Sequence, residues 1–147
     1  MADSTMTWIY NGKPYELGEQ THKEVYGFVY IITDTETNKQ YIGKKLFWSS
    51  KTKQIKGKKK RLKVESDWKT YFGSNKLLLE EVAKNGEARY KREILHLCAG
   101  KGECNYLEAH EQFTRNVLTS DQYYNDWIMV KVHRAHIKGL QQEKTVV

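Results

Sequence analysis

Proline is nearly absent from this chain, occurring once in 147 residues, and cysteine occurs only twice, at Cys98 and Cys104. No apolar run approaches the ~18 residues that a membrane-spanning helix requires. The opening stretch from Met1 to Thr7 has neither a basic n-region nor an apolar h-region, so no secretory signal is expected. Two cysteines without such a signal read as reduced thiols rather than as a disulfide framework. A zinc site from Cys98, Cys104, His133 and His136 is disfavoured, because both pair spacings fall outside the usual ones. A phosphate-cradling glycine loop, a dinucleotide fingerprint and a serine nucleophile motif are also missing. What remains is a basic chain of single-domain length, 39% hydrophobic, expected to fold around one core and to work in the cytoplasm.

The most consequential absence is local. Between Lys44 and Lys63 there is no Asp or Glu, while ten Lys or Arg occur. The whole chain carries +7 (25 basic against 18 acidic), so the remainder is −3 (15 against 18). A positive charge gathered this tightly calls for a polyanion, and DNA is the expected partner. The cations expected to meet it are Lys44, Lys51, Lys53, Lys56, Lys58, Lys59, Lys60, Arg61 and Lys63. Farther on, Lys131, His133, Arg134, His136 and Lys138 could extend that surface.

Periodicity divides the chain into an N-terminal arm or small hairpin (1–24), a central domain (25–127) and a basic extension (128–147). Asn11-Gly12 is hairpin-turn chemistry between aromatic residues. Val25 to Thr33 is β-branched and aromatic, Asp34 to Thr37 is a turn, and Gln40 to Trp48 returns as a second strand. With that turn Thr33 would pair with Asn38, and Tyr30 would fall opposite Tyr41, so both phenols would share a face. Residues 49–64 lack periodicity and are expected to be a mobile surface loop inserted in the domain. Ser74 is a candidate N-cap for a helix carrying Leu78 and Val82, stopped by Asn85-Gly86. Tyr90 to Leu97 reads as a third strand and Asn105 to Leu118 as a second helix, with Leu107 and Phe113 on its core face. Trp127 to Leu140 fits either an alternating strand or a basic helix. The tail from Gln141 is expected to fray. The sum is an α+β domain with a small, mainly antiparallel three-stranded sheet flanked by helices.

Several short motifs fall in an informative order. Phe28-Val29-Tyr30 is followed by Tyr41-Ile42-Gly43-Lys44-Lys45, then by Tyr71-Phe72-Gly73-Ser74-Asn75 before a leucine-rich helix. Lys91-Arg92-Glu93-Ile94-Leu95, Leu107-Glu108 and Tyr123-Tyr124-Asn125 complete the series. The set resembles the GIY-YIG nuclease superfamily over roughly residues 25–127, and is most similar to phage-encoded, homing-endonuclease-like members. The resemblance implies a Mg²⁺-dependent DNA endonuclease, with Mn²⁺ as a substitute metal. It implies catalytic roles for the phenols of Tyr30 and Tyr41, with Tyr71 completing the site, close backbone approach at Gly43, and a structural role for Asn125. Glu108 would hold the metal, with Glu111 as its rival.

One departure concerns the cation. The family usually carries an arginine on the helix after Tyr-Ile-Gly, and no arginine occurs here before Arg61. Lys44, Lys45, Arg61 and Lys69 are the candidates for that charge, although a lysine cannot form arginine's bidentate phosphate fork. Phe28 also stands where the family often has glycine. A non-catalytic nucleic-acid binder that keeps the fold is therefore the alternative, and a basic assembly protein a third. On either DNA-binding reading, affinity for duplex DNA should fall roughly 10³–10⁵-fold between about 50 and 200 mM salt, for about six to ten phosphate contacts. A filter-binding series across that range checks this, and a flat response would count against the basic segment as a DNA surface.

Overall fold

The computed structural model describes residues 7–132 and 134–140. His133, the side chain of Lys138 and the tail from Gln141 lie outside the described residues. Among the described residues seven strands occur: β1 (Ile9–Tyr10), β2 (Lys13–Pro14), β3 (Gly27–Asp34), β4 (Gln40–Leu46), β5 (Trp48–Ile55), β6 (Lys58–Glu65) and β7 (Tyr90–Cys98). Two α-helices follow the sequence's apolar spacing, α1 (Lys76–Asn85) and α2 (Lys101–Thr114). No described helix is long and apolar enough to cross a membrane.

The sheet is larger than the three-stranded antiparallel one expected. It has five strands in the order β2-β1-β7-β3-β4, and it is mixed because β1 runs parallel to β7. The two extra strands come from the N-terminal hairpin, whose Asn11-Gly12 turn has positive φ at both residues (51° and 79°), as a type I′ turn needs. That hairpin docks on the central sheet, and Trp8 beside it is 1% exposed, so it belongs to the core.

Strand β3 is central and buried on both faces, hence its unbroken run Phe28-Val29-Tyr30-Ile31-Ile32. Phe28, Tyr30 and Ile32 pack towards α1, with Trp8, Phe47, Trp68, Leu78 and Val82. Val29 and Ile31 pack towards α2, with Ile42, Cys98, Cys104 and Val117. Cys98 and Cys104 are free, buried thiols, as the reduced reading expected. A β-bulge opposite Val29 and Tyr30 takes Leu95 out of register in β7. It lets Ile94 join the Tyr30 cluster while His96 meets Glu111 of α2.

Four local expectations need correction. The β3–β4 connection is longer than a four-residue turn: Thr33 pairs with Gln40, so Tyr41 lies opposite Ile32 and Tyr30 opposite Gly43. The slip is two residues, an even number, so both tyrosines still share one face. Ser74 does not cap α1; the Asn75 side chain accepts the Leu78 N–H at 3.0 Å. Helix α2 begins at Lys101 and stops at Thr114, leaving Phe113 59% exposed rather than in the core. Residues 49–64 are no mobile loop but most of an antiparallel hairpin, β5–β6, closed by Lys56-Gly57 with φ of 51° and 76°. Its regular eight-pair ladder was hidden because lysine on both faces erases the hydrophobic alternation.

The segment from Trp127 is neither strand nor basic helix. Residues 126–132 form no regular element, and Arg134–Leu140 is a 3₁₀ stretch kinked at Ile137 that packs on α2. The alternation of Ile128, Val130 and Val132 does not hold: Ile128 packs inward, but Val130 is exposed together with Trp127 and Met129.

Asp34 closes the β3–β4 connection. Its carboxylate is 1% exposed, accepts the Glu36 N–H at 2.9 Å, and takes Arg89 Nε and Nη2 at 2.7 and 2.8 Å. The Arg89 guanidinium holds Asp34 down at about 2, against the opposing effect of burial. A depressed carboxylate stabilises the fold above its unfolded pKa of ~3.9, and that contribution disappears as pH falls towards about 2. Asp34→Ala should cost about 2–4 kcal/mol at neutral pH, since Arg89 keeps some solvent, and less near pH 2. Urea melts of both proteins at the two pH values check this.

Candidate nuclease site

Edge strand β4 organises the site. Its outward groups meet no further strand of the sheet. Instead Gln40 exchanges backbone bonds with Gln122 and Tyr124, both at 2.8 Å. At Ile42 the side chain of Asn125 replaces a strand: Oδ1 accepts the Ile42 N–H at 3.0 Å and Nδ2 donates to its carbonyl at 2.8 Å. Gln112 Nε2 donates to the same carbonyl at 3.1 Å. These amides draw α2 and the 122–129 segment against the strand edge.

The result is a cleft of about 340 Å³ that opens along that edge. Tyr30 and Tyr41 line it from the sheet, Glu108 and Gln112 from α2, and Ser74 and Asn75 from the start of α1. Lys44, Asn125, Asp126, Trp127 and Met129 complete the wall. Tyrosines on the α1 face thus meet a carboxylate on the α2 side, because the edge strand can be reached from both.

Gly43 makes that meeting possible. A Cβ built there would lie 2.6 Å from Tyr30 Cζ and collide with its hydroxyl, so only glycine lets the buried ring cross β4. The Tyr30 and Tyr41 ring centroids are 6.2 Å apart, and Tyr41 Oη is 3.3 Å from Ser74 Oγ. Burial, with neighbouring Tyr71 and Tyr41, pushes the Tyr30 phenol well above its usual value of 10. Burial also raises Tyr41, although its bond with Ser74 pulls the other way. Both are protonated phenols at neutral pH.

On α2, Asn105, Glu108 and Gln112 follow helical spacing and form a ridge along β4. Lys44 Nζ donates to Asn105 Oδ1. Burial raises the Glu108 carboxyl, while the charge of Lys44 and its backbone N–H lower it. Glu111 is engaged elsewhere: His96 Nε2 lies 2.8 Å from one carboxylate oxygen and Arg115 Nε 2.8 Å from the other.

The remaining expected residues separate. Tyr71 stands beside Tyr30, ring centroids 6.0 Å apart and perpendicular. Lys45 lies 4.2 Å over the Tyr71 ring and is paired with Asp67 at 2.6 Å. Lys69 does not line the cleft; it is exposed, 3.9 Å from Glu65 and over the Trp68 ring. Arg61 and the lysines from Lys51 to Lys63 belong to the β5–β6 hairpin. Sequence reasoning missed Gln112, Asp126 and Ser74, isolated polar residues whose convergence has no local signature. It also missed Arg92, which is 2% exposed between Trp8 and Phe72 and donates to the carbonyls of Lys69 and Tyr71 at 3.0 and 2.8 Å. Burial pushes its guanidinium down to about 10. Arg92 therefore fixes the strap that carries Tyr71.

Among the described residues no group of three or more His, Cys, Asp or Glu could hold a metal. The cleft instead offers Glu108, with Asp126 on the rim, and these hard oxygens suit an ion that keeps several waters. Gly43→Ala should cost about 1–3 kcal/mol by overpacking and displace the Tyr30 hydroxyl from the cleft. A thermal melt and the crystal structure of the variant test this; an unmoved Tyr30 ring would refute the crossing argument.

A family model described as "Putative endonuclease segE, GIY-YIG domain" matches residues 8–128 of the chain. Among curated proteins and solved structures, none matches it significantly.

Proposed function

Because the chain belongs to the segE GIY-YIG endonuclease-domain family, we propose that it is a Mg²⁺-dependent enzyme that hydrolyses DNA phosphodiesters in the β4-edge cleft. The observation that carries this reading is the convergence of two phenols, one lysine and one half-buried carboxylate around a single cleft. Phosphodiester hydrolysis needs a positioned water, neutralisation of the charge developing on phosphorus, and help for the leaving oxygen. The phenols and the carboxylate of the cleft would serve the first two tasks, and the leaving oxygen would take its proton from solvent.

Glu108, with Asp126 lining the same cleft, would hold Mg²⁺ or Mn²⁺. When bound, the ion supplies Lewis-acid neutralisation of the phosphate charge. Burial of Glu108 keeps that carboxylate in a site where electrostatic interactions are strong, and Lys44 favours its charged form. Tyr30 and Tyr41 enter as neutral phenols: Tyr41 Oη would accept the attacking water's proton while its own passes to Ser74 Oγ and on to solvent, and Tyr30 would donate to a phosphate oxygen. Tyr71 buttresses Tyr30, and Lys44 supplies the positive charge at the cleft wall. Lysine does this as a point charge without arginine's two-pronged geometry. On the same reading the protein acts in the cytoplasm.

One observation favours a binder that has kept the fold: no arginine is among the described residues lining the cleft. Nicking of supercoiled plasmid separates the two readings. Cutting should require Mg²⁺, stop in EDTA, and fall roughly 10²–10³-fold in Glu108→Ala. Salt-sensitive binding to supercoiled, linear and branched DNA without any cutting would establish the binder instead.

A further inference from the structure

The β5–β6 hairpin forms a two-stranded sheet separate from the central one. Two strands alone are marginal in water, so this ribbon depends on its base. There Trp48 Nε1 donates to the Val25 carbonyl at 2.8 Å, Ser66 Oγ donates to the Leu46 carbonyl at 2.7 Å, and Phe47 is wholly buried.

Its register sorts the cations onto two unlike faces. On one face Lys51 is opposite Leu62 and Lys53 opposite Lys60. On the other, Ser50 is opposite Lys63, Thr52 opposite Arg61 and Gln54 opposite Lys59. The rung at the base of this second face sets Trp48 opposite Glu65, and the other three of its four rungs pair a cation with a neutral hydroxyl or amide. Those are the groups that discriminate base edges: arginine bidentate to guanine O6 and N7, glutamine to adenine N6 and N7.

The second face also leads to the candidate catalytic cleft. Ser50 and Lys63 line a neighbouring basic cleft of about 520 Å³ with Lys44, Lys45 and Lys101, and Lys44 lines the catalytic cleft as well. A phosphate backbone following these lysines from the catalytic cleft meets the Arg61 face. Eight residues span roughly 25 Å and two strands lie ~4.8 Å apart, a ribbon that the ~12 Å major groove admits and the ~6 Å minor groove does not.

We propose that the Ser50–Gln54 and Lys59–Lys63 face enters the major groove of duplex DNA and reads base edges there, with Gln54 and Arg61 determining specificity. Lys44, Lys63 and Lys101 track the phosphates back to the cleft. The proposal rests on the endonuclease reading for the identity of the polymer, but it requires no cleavage.

The test is selection of bound duplexes from a randomised pool in EDTA, with the full chain as wild type, Arg61→Ala, Gln54→Ala and Lys51→Gln/Lys53→Gln. Wild type should enrich a motif of about four base pairs containing guanine, matching the three cationic rungs of the face. Prior methylation of guanine N7 in that motif should weaken binding. Arg61→Ala should lose on the order of tenfold preference at the guanine, and Gln54→Ala a similar preference at an adenine. The double lysine variant, altered on the opposite face, should weaken binding to all sequences and leave the motif intact. No enriched motif, interference from adenine N3 methylation instead, or an unchanged motif in Arg61→Ala and Gln54→Ala would overturn the proposal. A motif lost in Arg61→Ala from a protein that never nicks plasmid would uphold it while the endonuclease reading failed.

Discussion

An edge strand with buried backbone groups must find partners for them, and here that requirement builds the site. Ile42 is fully buried, and its N–H and C=O face the free side of β4. Leaving both unpaired would cost several kcal/mol, about 1–3 for each. Asn125 satisfies the pair like a single residue of an absent strand, and Gln112 adds a second donor to the carbonyl. Because those amides belong to the segment after α2 and to α2 itself, both are held at the strand edge. Glu108 lies one helical turn before Gln112 and is carried to the same edge.

The two faces of the sheet can cooperate only there. Tyr30 and Tyr41 sit on the α1 side, whereas Glu108 descends from the α2 side. A central strand would keep these groups a sheet's thickness apart. At the edge, Gly43 removes the one side chain that would stand between the Tyr30 phenol and the cleft. The neighbouring strap is fixed by Arg92, whose guanidinium is sandwiched between Trp8 and Phe72 and spends hydrogen bonds on backbone carbonyls. The small N-terminal hairpin consequently has a role in the site, since the Trp8 beside it forms one side of that sandwich.

Charge is distributed by the same architecture. Among the described residues Lys44 is the one lysine or arginine lining the cleft, whereas the hairpin beside it carries the dense positive charge. Acidic partners anchor the chain at Lys45 and Arg89, through Asp67 and Asp34. The hairpin cations from Lys51 to Arg61 sit at exposed positions, free of the neutralising acids that the sequence excludes from that region. A compact domain thereby separates a site of few, partly buried charges from a projecting surface of many solvated ones.

The sequence by itself determined the central strand, the two helices and the location of the positive charge, through β-branched runs, turn residues and the simple sum of charges. The shared face of Tyr30 and Tyr41 survived a register read two residues short only because the slip is even. It misread 49–64, because a ribbon without a buried face leaves no hydrophobic alternation to detect. It also undercounted the sheet, since two-residue strands carry too little pattern to announce their docking. Only the tertiary structure decided that Glu108 reaches the cleft while Glu111 is taken by His96 and Arg115. The two glutamates are three residues apart on one helix; the Leu107-Glu108 motif favours the first by resemblance, but helical spacing alone does not separate them. Their difference arises from which strand each faces, β4 with its open edge or β7 inside the sheet, and that is fixed by strand order rather than by neighbours in sequence.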